Sequence, residues 1–337
     1  MPAVLSANEI VREDLSDALI LADVRNTPVS SRMKKGDKLK NMLFSWSLEQ
    51  LGARRSGGIP ENKDVDAFES DQMTRIYGRG ERFWRTPRVS VIAEKVNDVA
   101  GVTGSKYNWQ VTKKIKDQKR DIESELVSDQ DSQDDNGIVG SKFMGLGRVI
   151  NDTTSVGAGG SALTFGDAQT AIPATFRTPT AQIYTGALAS LGEPDFITIL
   201  KSRYDNLGAT TELSLFADSA LKSHISEFFG KYKPNKDGFV VVVRSMTETI
   251  DSRKFPAYGI DLYEGDFGTF DITLVPFMPY TGRGYGLNME YMSMRPLMYC
   301  DHTELPYQGG GISGLIDSIL GYEFGDPRGH FKIDPAS

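Results

Sequence analysis

The sequence has one cysteine, Cys300, among its 337 residues, so no intrachain disulfide can form and folding in a reducing cytoplasm is expected. With a single cysteine, a zinc centre would have to be built largely from the three histidines, His224, His302 and His330, and carboxylates, and the histidines are scattered without metal-site spacing. No apolar run approaches the roughly 20 residues needed to cross a bilayer, and Met1 to Ile10 lacks a basic segment followed by an apolar one, so neither membrane insertion nor secretion is expected. Excess positive charge is also missing. The net charge of −7 excludes a chain that holds nucleic acid mainly by neutralising phosphates.

The usual catalytic patterns are absent as well. The Gly230-Lys231 pair is followed by Tyr232 and has no glycine five positions earlier, so there is no Walker phosphate loop. Gly282 to Gly286, Gly-Arg-Gly-Tyr-Gly, lacks dinucleotide-binding spacing, precedes a strand pattern and reads as a turn. Asp301-His302 has no Gly-x-Ser-x-Gly elbow to supply a nucleophile, and Cys300, ending an apolar strand pattern, reads as a buried inert thiol. The acidic run Asp129 to Gly140 has Asp134 where a calcium loop needs glycine and Gly140 where it needs glutamate, so it reads as a solvated loop. No catalytic, cofactor-binding or metal-binding residue is assigned, and the chain is expected not to be an enzyme.

What is present is a mixed α+β pattern with 34 glycines clustered between apolar runs. Ser6-Ala7-Asn8-Glu9 is a capping-box pattern that opens an amphipathic helix to Ala22, broken by Thr27-Pro28. A polar, basic stretch follows, with Arg32, Lys34, Lys35, Lys38 and Lys40, readable as a solvated segment or as a local basic face, as is the pair Arg54-Arg55. Residues 56–88 are polar and glycine-rich with little to anchor them, which predicts an extended hairpin, a loop, or a piece that packs on another molecule; Phe83 and Trp84 near its end suit an interface. The clearest helix spans 105–128, with Tyr107, Val111, Ile115, Gln118, Ile122 and Leu126 on one face and Lys119, Glu123 and other charges on the outer one.

Further on, the pattern predicts a helix over 180–191 ending at Gly192 and Pro194, a buried strand over 196–200, and a helix over 211–229. Strands are predicted over 239–244, 260–263, 270–276 and 287–300, where β-branched and aromatic residues alternate with Gly and Pro punctuation. There is no internal repeat of fixed period.

The order of these elements resembles the major capsid proteins of tailed bacteriophages, whose shell fold is shared with herpesviruses. The resemblance lies in Thr27-Pro28 and Phe44-Ser45-Trp46, in Arg88-Val89-Ser90, and in the helix ending Lys119-Arg120-Asp121-Ile122-Glu123. It continues in Ile183-Tyr184, in Leu191-Gly192-Glu193-Pro194-Asp195-Phe196-Ile197, in Tyr263 to Gly268 with Ile272 to Pro276, and in Met294-Arg295-Pro296-Leu297, taken as the final long strand. Residues 152–178 and 308–314 match nothing in the family pattern.

The resemblance implies an N-terminal arm (1–55), an extended loop (56–90), a peripheral domain (91–178) with a spine helix (105–128), an axial domain (179–290), and a closing segment (291–337). It implies hexamers and pentamers of one chain forming an icosahedral head around double-stranded DNA, without sequence-specific DNA binding and without a cofactor. Scaffold, portal and decoration proteins become candidate partners, the virion the location, and the host cytoplasm the place of assembly. Arg54, Arg55, Phe83 and Trp84 become candidate intersubunit contacts, and Arg32, Lys34, Lys35, Lys38 and Lys40 a candidate basic arm. The extended loop should then be removable over 56–88 without unfolding the subunit. A bacterial cargo compartment of the same fold, a monomeric enzyme, and a tail or decoration protein are the other readings.

Overall fold

The computed structural model describes residues 26–52, 57, 61–62, 64, 73–96, 105–152, 169–208, 212–230, 233–234, 240–241, 262–307 and 309–335. The helix predicted over 6–22 lies outside them, as does most of 53–72. In chain order the first half forms α1 (Pro28–Arg32), β1 (Lys34–Lys35), β2 (Leu43–Leu48), β3 (Thr74–Arg79), β4 (Glu81–Arg85), β5 (Arg88–Ser90), α2 (Val91–Lys95), α3 (Lys106–Val127) and α4 (Leu146–Val149). The second half forms β6 (Ile183–Tyr184), α5 (Glu193–Leu207), β7 (Leu213–Ala217), α6 (Ser219–Gly230), β8 (Lys233–Pro234), β9 (Val240–Val241), β10 (Leu262–Gly265), β11 (Gly268–Leu274), β12 (Gly284–Leu287), β13 (Ser293–Glu304), β14 (Gly311–Glu323) and β15 (Phe331–Ile333). No helix among the described residues is long and apolar enough to cross a membrane.

α3 stands where its periodicity predicts it. The Ser105 side chain accepts from the Asn108 backbone N–H at its start, and 22 residues give a rod of about 33 Å. Tyr107, Gln118, Ile122 and Leu126 are buried, while Val111 and Ile115 are half-buried. Glu123 departs from the expected outer face. It is fully buried, and its two carboxylate oxygens accept from the Val29 and Ser30 backbone N–H groups at 2.7 and 2.8 Å, capping α1. The arm is thereby tied to the helix through a side chain that sequence alone places in solvent.

Two sheets carry the rest. In the first, β13 and β14 form a long antiparallel hairpin, flanked by β1 on one side and by β4 and β5 on the other; β2 and β3 pair separately as a second hairpin. The second sheet runs β10-β11-β7-β12-β15-β6, mixed in direction, with β7 parallel to β11 and antiparallel to β12. Its central strands are apolar on both faces because each face meets a different core. Phe216, Tyr285 and Leu287 point into the core that also holds Ile122, Leu126 and Leu320. Leu213, Leu215, Phe331 and Ile333 point into the core built with Ile199 and Leu200 of α5 and Leu221 and Ile225 of α6. Gly286 makes this close packing feasible, since a Cβ there would stand 1.9 Å from the ring of Phe331, its cross-strand partner.

Several local expectations are corrected. Residues 180–191 are short turns around β6, and 196–200 lie inside α5 rather than in a strand. Gly192-Glu193-Pro194-Asp195 starts a helix instead of ending one: Pro194 sits in the first turn, where its missing N–H costs nothing, and the Gly192 N–H donates to the Asp195 carboxylate at 2.8 Å. Phe196, Ile199, Leu200 and Arg203 then form the buried stripe. The helix expected over 211–229 is β7 followed by α6, separated at Asp218, whose carboxylate accepts from the Ala220 and Gly282 N–H groups. The strand expected over 287–300 is divided between β12 and β13, and β13 is followed by β14, so Met294 to Leu297 do not belong to the final long strand. Gly284 to Gly286, read as a turn, lie in β12; Gly282, at φ +80°, is the turn residue. Of the strands expected over 239–244 and 260–263, only Val240–Val241 and Leu262–Tyr263 fall among described strand residues. Residues 74–90, expected within the extended loop, are the strands β3, β4 and β5, so deletion of 56–88 would remove framework.

Two buried titrating groups set opposite pH dependences. His330 accepts from the Asn288 N–H at Nδ1 and donates from Nε2 to the Phe324 carbonyl, and burial holds its pKa down at about 4. Its contribution is therefore present above the unfolded value near 6.5 and is lost as pH falls toward 4. Burial raises Glu81 to about 7, offset in part by the Gln130 side-chain hydrogen bond, so its penalty appears as pH rises from about 4.5 to 7. Relative to the unaltered subunit, Glu81→Gln is expected to gain, and His330→Gln to escape a loss, of about 3 kcal/mol across their respective windows. Urea unfolding of unassembled subunits at a series of pH values checks this; curves parallel to the unaltered chain would contradict it.

Candidate assembly surfaces

The groups that could carry chemistry are committed to structure. His224 Nε2 lies 2.9 Å from the Leu191 carbonyl, and His302 Nε2 lies 2.9 Å from the Tyr107 hydroxyl. Asp301 follows the strand alternation to the opposite face of β13 from His302. Cys300 sits at a bulge of β13 with φ +52°; burial pushes its thiol up, which disfavours the reactive thiolate. The acidic run is engaged in pairs: Asp129 with Arg283, Asp131 with Arg148 and Asp134 with Arg79. No group of three or more His, Cys, Asp or Glu side chains suited to a metal ion occurs among the described residues.

A buried ion cluster ties the second sheet to the loop that follows α3. Arg283 of the β12 approach has no solvent exposure and donates to Asp129 Oδ1 at 2.8 Å and to Asp334 Oδ1 at 2.6 and 2.9 Å, with Tyr280 stacked on its guanidinium. Burial alone would lower its pKa, but the fields of Tyr285, Asp129 and Asp334 leave it raised. Tyr285 donates to the Val127 carbonyl at the end of α3, and Lys332, pulled down by burial, donates to the Gly147 carbonyl. A Cβ at Gly147 would stand 1.7 Å from Asp129 Oδ1, so glycine is what lets the carboxylate reach the cluster. Nothing in the local sequence marks Arg283 as buried; its glycine neighbours are the one hint of close packing.

The candidate contacts divide. Phe83 packs against the first core, whereas Trp84, next along β4, is 62% exposed on the other face. Arg54 and Arg55 lie outside the described residues. In the basic arm, Arg32 is held by Asp271 and lies over the Phe216 ring, a structural anchor. Lys34, Lys35, Lys38 and Lys40 are all exposed on a strap pinned by buried Met33 and Leu39, with β1 paired to β13. Sequence reasoning missed the ends of the β2–β3 hairpin, where Leu51 is 91% and Met73 68% exposed, an apolar pair at the base of the segment between them.

Replacing Arg283 with Met is expected to destabilise the subunit by about 3–5 kcal/mol, because Asp129 and Asp334 lose their shared partner while still largely buried. Adding Asp129→Asn and Asp334→Asn should recover part of that loss. Denaturant midpoints of the unassembled subunits measure both; an Arg283→Met midpoint equal to that of the unaltered chain would contradict the role of the cluster.

A family model described as SU10 major capsid protein matches residues 4–337. No curated protein sequence matches the chain. Among solved structures it is similar to the capsid asymmetric unit of Cyanophage A-1(L), at 11% identity and TM-score 0.64 with 98% of each chain covered. It is also similar to the capsid of a native GTA particle, at 14% identity and TM-score 0.60 over all of both chains. The capsid of Cyanophage P-SCSP1u is similar at 8% identity and TM-score 0.60, over 98% of this chain and 94% of that one. At these identities the structures speak to the shared fold, and the family match speaks to the kind of protein.

Proposed function

This chain belongs to the SU10 major capsid protein family, a family of structural coat proteins rather than enzymes, and from that membership we propose how its surfaces build the head. Copies of the chain assemble as hexamers and pentamers into an icosahedral shell around double-stranded phage DNA. The observation that carries this reading is the β2–β3 hairpin: six residues pair on each strand, and Leu51 after β2 and Met73 before β3 are apolar and uncovered. A monomer exposes those two side chains at a cost of about 25 cal/mol per Å² of apolar surface. Laid against a neighbouring copy they are buried, and the subunit gains interface area without enlarging its own core.

The four exposed lysines of the strap support a second contact, to a neighbouring subunit or to the packaged DNA. Their attraction for phosphate is local and free of base recognition, and the net acidity of the chain keeps the lining from clamping the genome. Arg54 and Arg55, which lie in sequence between β2 and β3, and Trp84 on β4 remain contact residues in this reading. Scaffold, portal and decoration proteins are the further partners, the virion is the final location, and assembly takes place in the host cytoplasm.

Replacing residues 53–72 with a short Gly-Ser link keeps β2 and β3 paired and removes only the connection. The expected result is a folded subunit with an unchanged melting temperature that no longer forms closed shells by sedimentation and electron microscopy; normal shells would refute the overlap. Changing Lys34, Lys35, Lys38 and Lys40 to Glu should leave folding intact and reduce shell yield or packaged DNA. Particles of unchanged yield and DNA content would remove the strap from the mechanism.

A further inference from the structure

The loop between α3 and α4 meets the chain where β3 ends and β4 begins, and it is tied there three times. Arg79, buried at the end of β3, donates to Asp134 Oδ1 at 2.6 Å. The Gly80 carbonyl accepts from the Ser141 hydroxyl at 2.8 Å. Glu81, buried at the start of β4, accepts at Oε2 from Gln130 Nε2 at 2.7 Å and from the Phe143 N–H at 3.3 Å. Within the loop, Gln133 pairs with Lys142, and the Asn136 side chain accepts from the Ile138 and Val139 N–H groups, so the segment is braced out to its exposed tip at Ile138. Three consecutive residues thus hold the loop, and they lead directly out of the β2–β3 hairpin.

The Glu81 tie contains a group that changes charge close to neutral pH. Burial pushes its carboxyl up to about 7, against the Gln130 and Phe143 bonds and the charge of Lys142, while Glu125 of α3 acts in the same direction as burial. Tyr322 of β14 feels the charges of Glu123 and Glu81, and burial pushes its own hydroxyl well up. Arg79 of β3 is engaged by Asp134 and Gln169, and Asp167 lies outside the described residues. A neutral Glu81 suits this site, whereas an ionised one calls for water that Gln130 and Phe143 keep away. Lifting the loop returns the carboxyl toward 4.5, so the closed form is favoured while the proton is bound and loses ground as pH rises from about 4.5 to 7.

We propose that the loop from Gln133 to Phe143 is a proton-controlled latch on the root of the β2–β3 hairpin. With Glu81 neutral it is closed over the β3–β4 corner; with Glu81 ionised it lifts, taking the Phe143 N–H off the carboxylate and admitting water. The hairpin keeps its anchor on the other side, where Trp46 donates to the Gly325 carbonyl and its ring meets Phe324 edge-on. Ionisation therefore loosens one side of the hairpin root and leaves the other in place.

Hydrogen exchange of the unassembled full chain, corrected for the intrinsic pH dependence of amide exchange, tests this. Protection of the Gln133, Lys142 and Phe143 amides, all bonded in the closed loop, is expected to fall on the order of a hundredfold between pH 5 and 8, while α3 amides keep theirs. Glu81→Gln keeps an acceptor and cannot ionise, so its loop amides should hold their pH 5 protection throughout. Ser141→Ala removes a tie without touching Glu81 and should lower protection by a similar factor at every pH. A flat profile in the unaltered chain, or a Glu81→Gln variant that loses protection in parallel with it, would overturn the proposal. Exchange is read on the subunit, so neither outcome depends on the shell reading.

Discussion

The guanidinium of Arg283 has no contact with water, and a charge in that position persists only if carboxylates come to it. They come from two distant places. Asp129 follows α3, the long helix under the first sheet, and Asp334 follows β15 in the second sheet. The Tyr285 hydroxyl adds a bond to the last turn of α3, and Lys332 adds one to the turn of α4. The register of the second sheet against the helix is thus set by directional bonds, where apolar packing alone would tolerate sliding. The cost of burying these groups is a constraint in itself: a different placement of the second sheet against the end of α3 would strand charges in the interior.

That constraint gives the second sheet its unusual position as a wall with a core on each side. β7 is buried along its whole length, and alternate residues serve different cores. Both halves of the subunit therefore depend on the same strands. The arm is tied in by the same logic, since Glu123 of α3 caps α1 and Arg32 bonds to Asp271 of β11. Outside this frame stand exposed groups such as Leu51 and Met73 at the hairpin ends, the four lysines of the strap and Trp84. A coat subunit needs this division, because its interior must stay fixed while its edges meet neighbours in different settings.

Much of the framework was legible in the residues, and the misses share one cause. α3 was readable because its stripe repeats over six turns, and the β10–β11 hairpin because Gly265-Asp266-Phe267-Gly268 interrupts two strand patterns. α5 was misread because Gly192 and Pro194 serve both to end and to begin helices, and only the bond from Gly192 N–H to Asp195 decides between them. Phe83 and Trp84 were rightly noticed as a pair, yet the two faces of β4 give them opposite fates.

The sequence by itself determined the exclusions of disulfide, membrane span and phosphate-driven nucleic-acid binding, the α+β mixture, the long helix, and the resemblance to tailed-phage coat proteins. Each of these rests on composition or on a repeat spanning a few turns, which are local properties. Only the tertiary structure decided that Glu123 is a buried cap and that Arg283 ties the second sheet to the loop after α3. Arg283 and Asp129 are 154 residues apart, and Glu123 and Val29 are 94 apart. Pairings over such distances are selected by the desolvation cost of whole arrangements, and no local pattern records that cost.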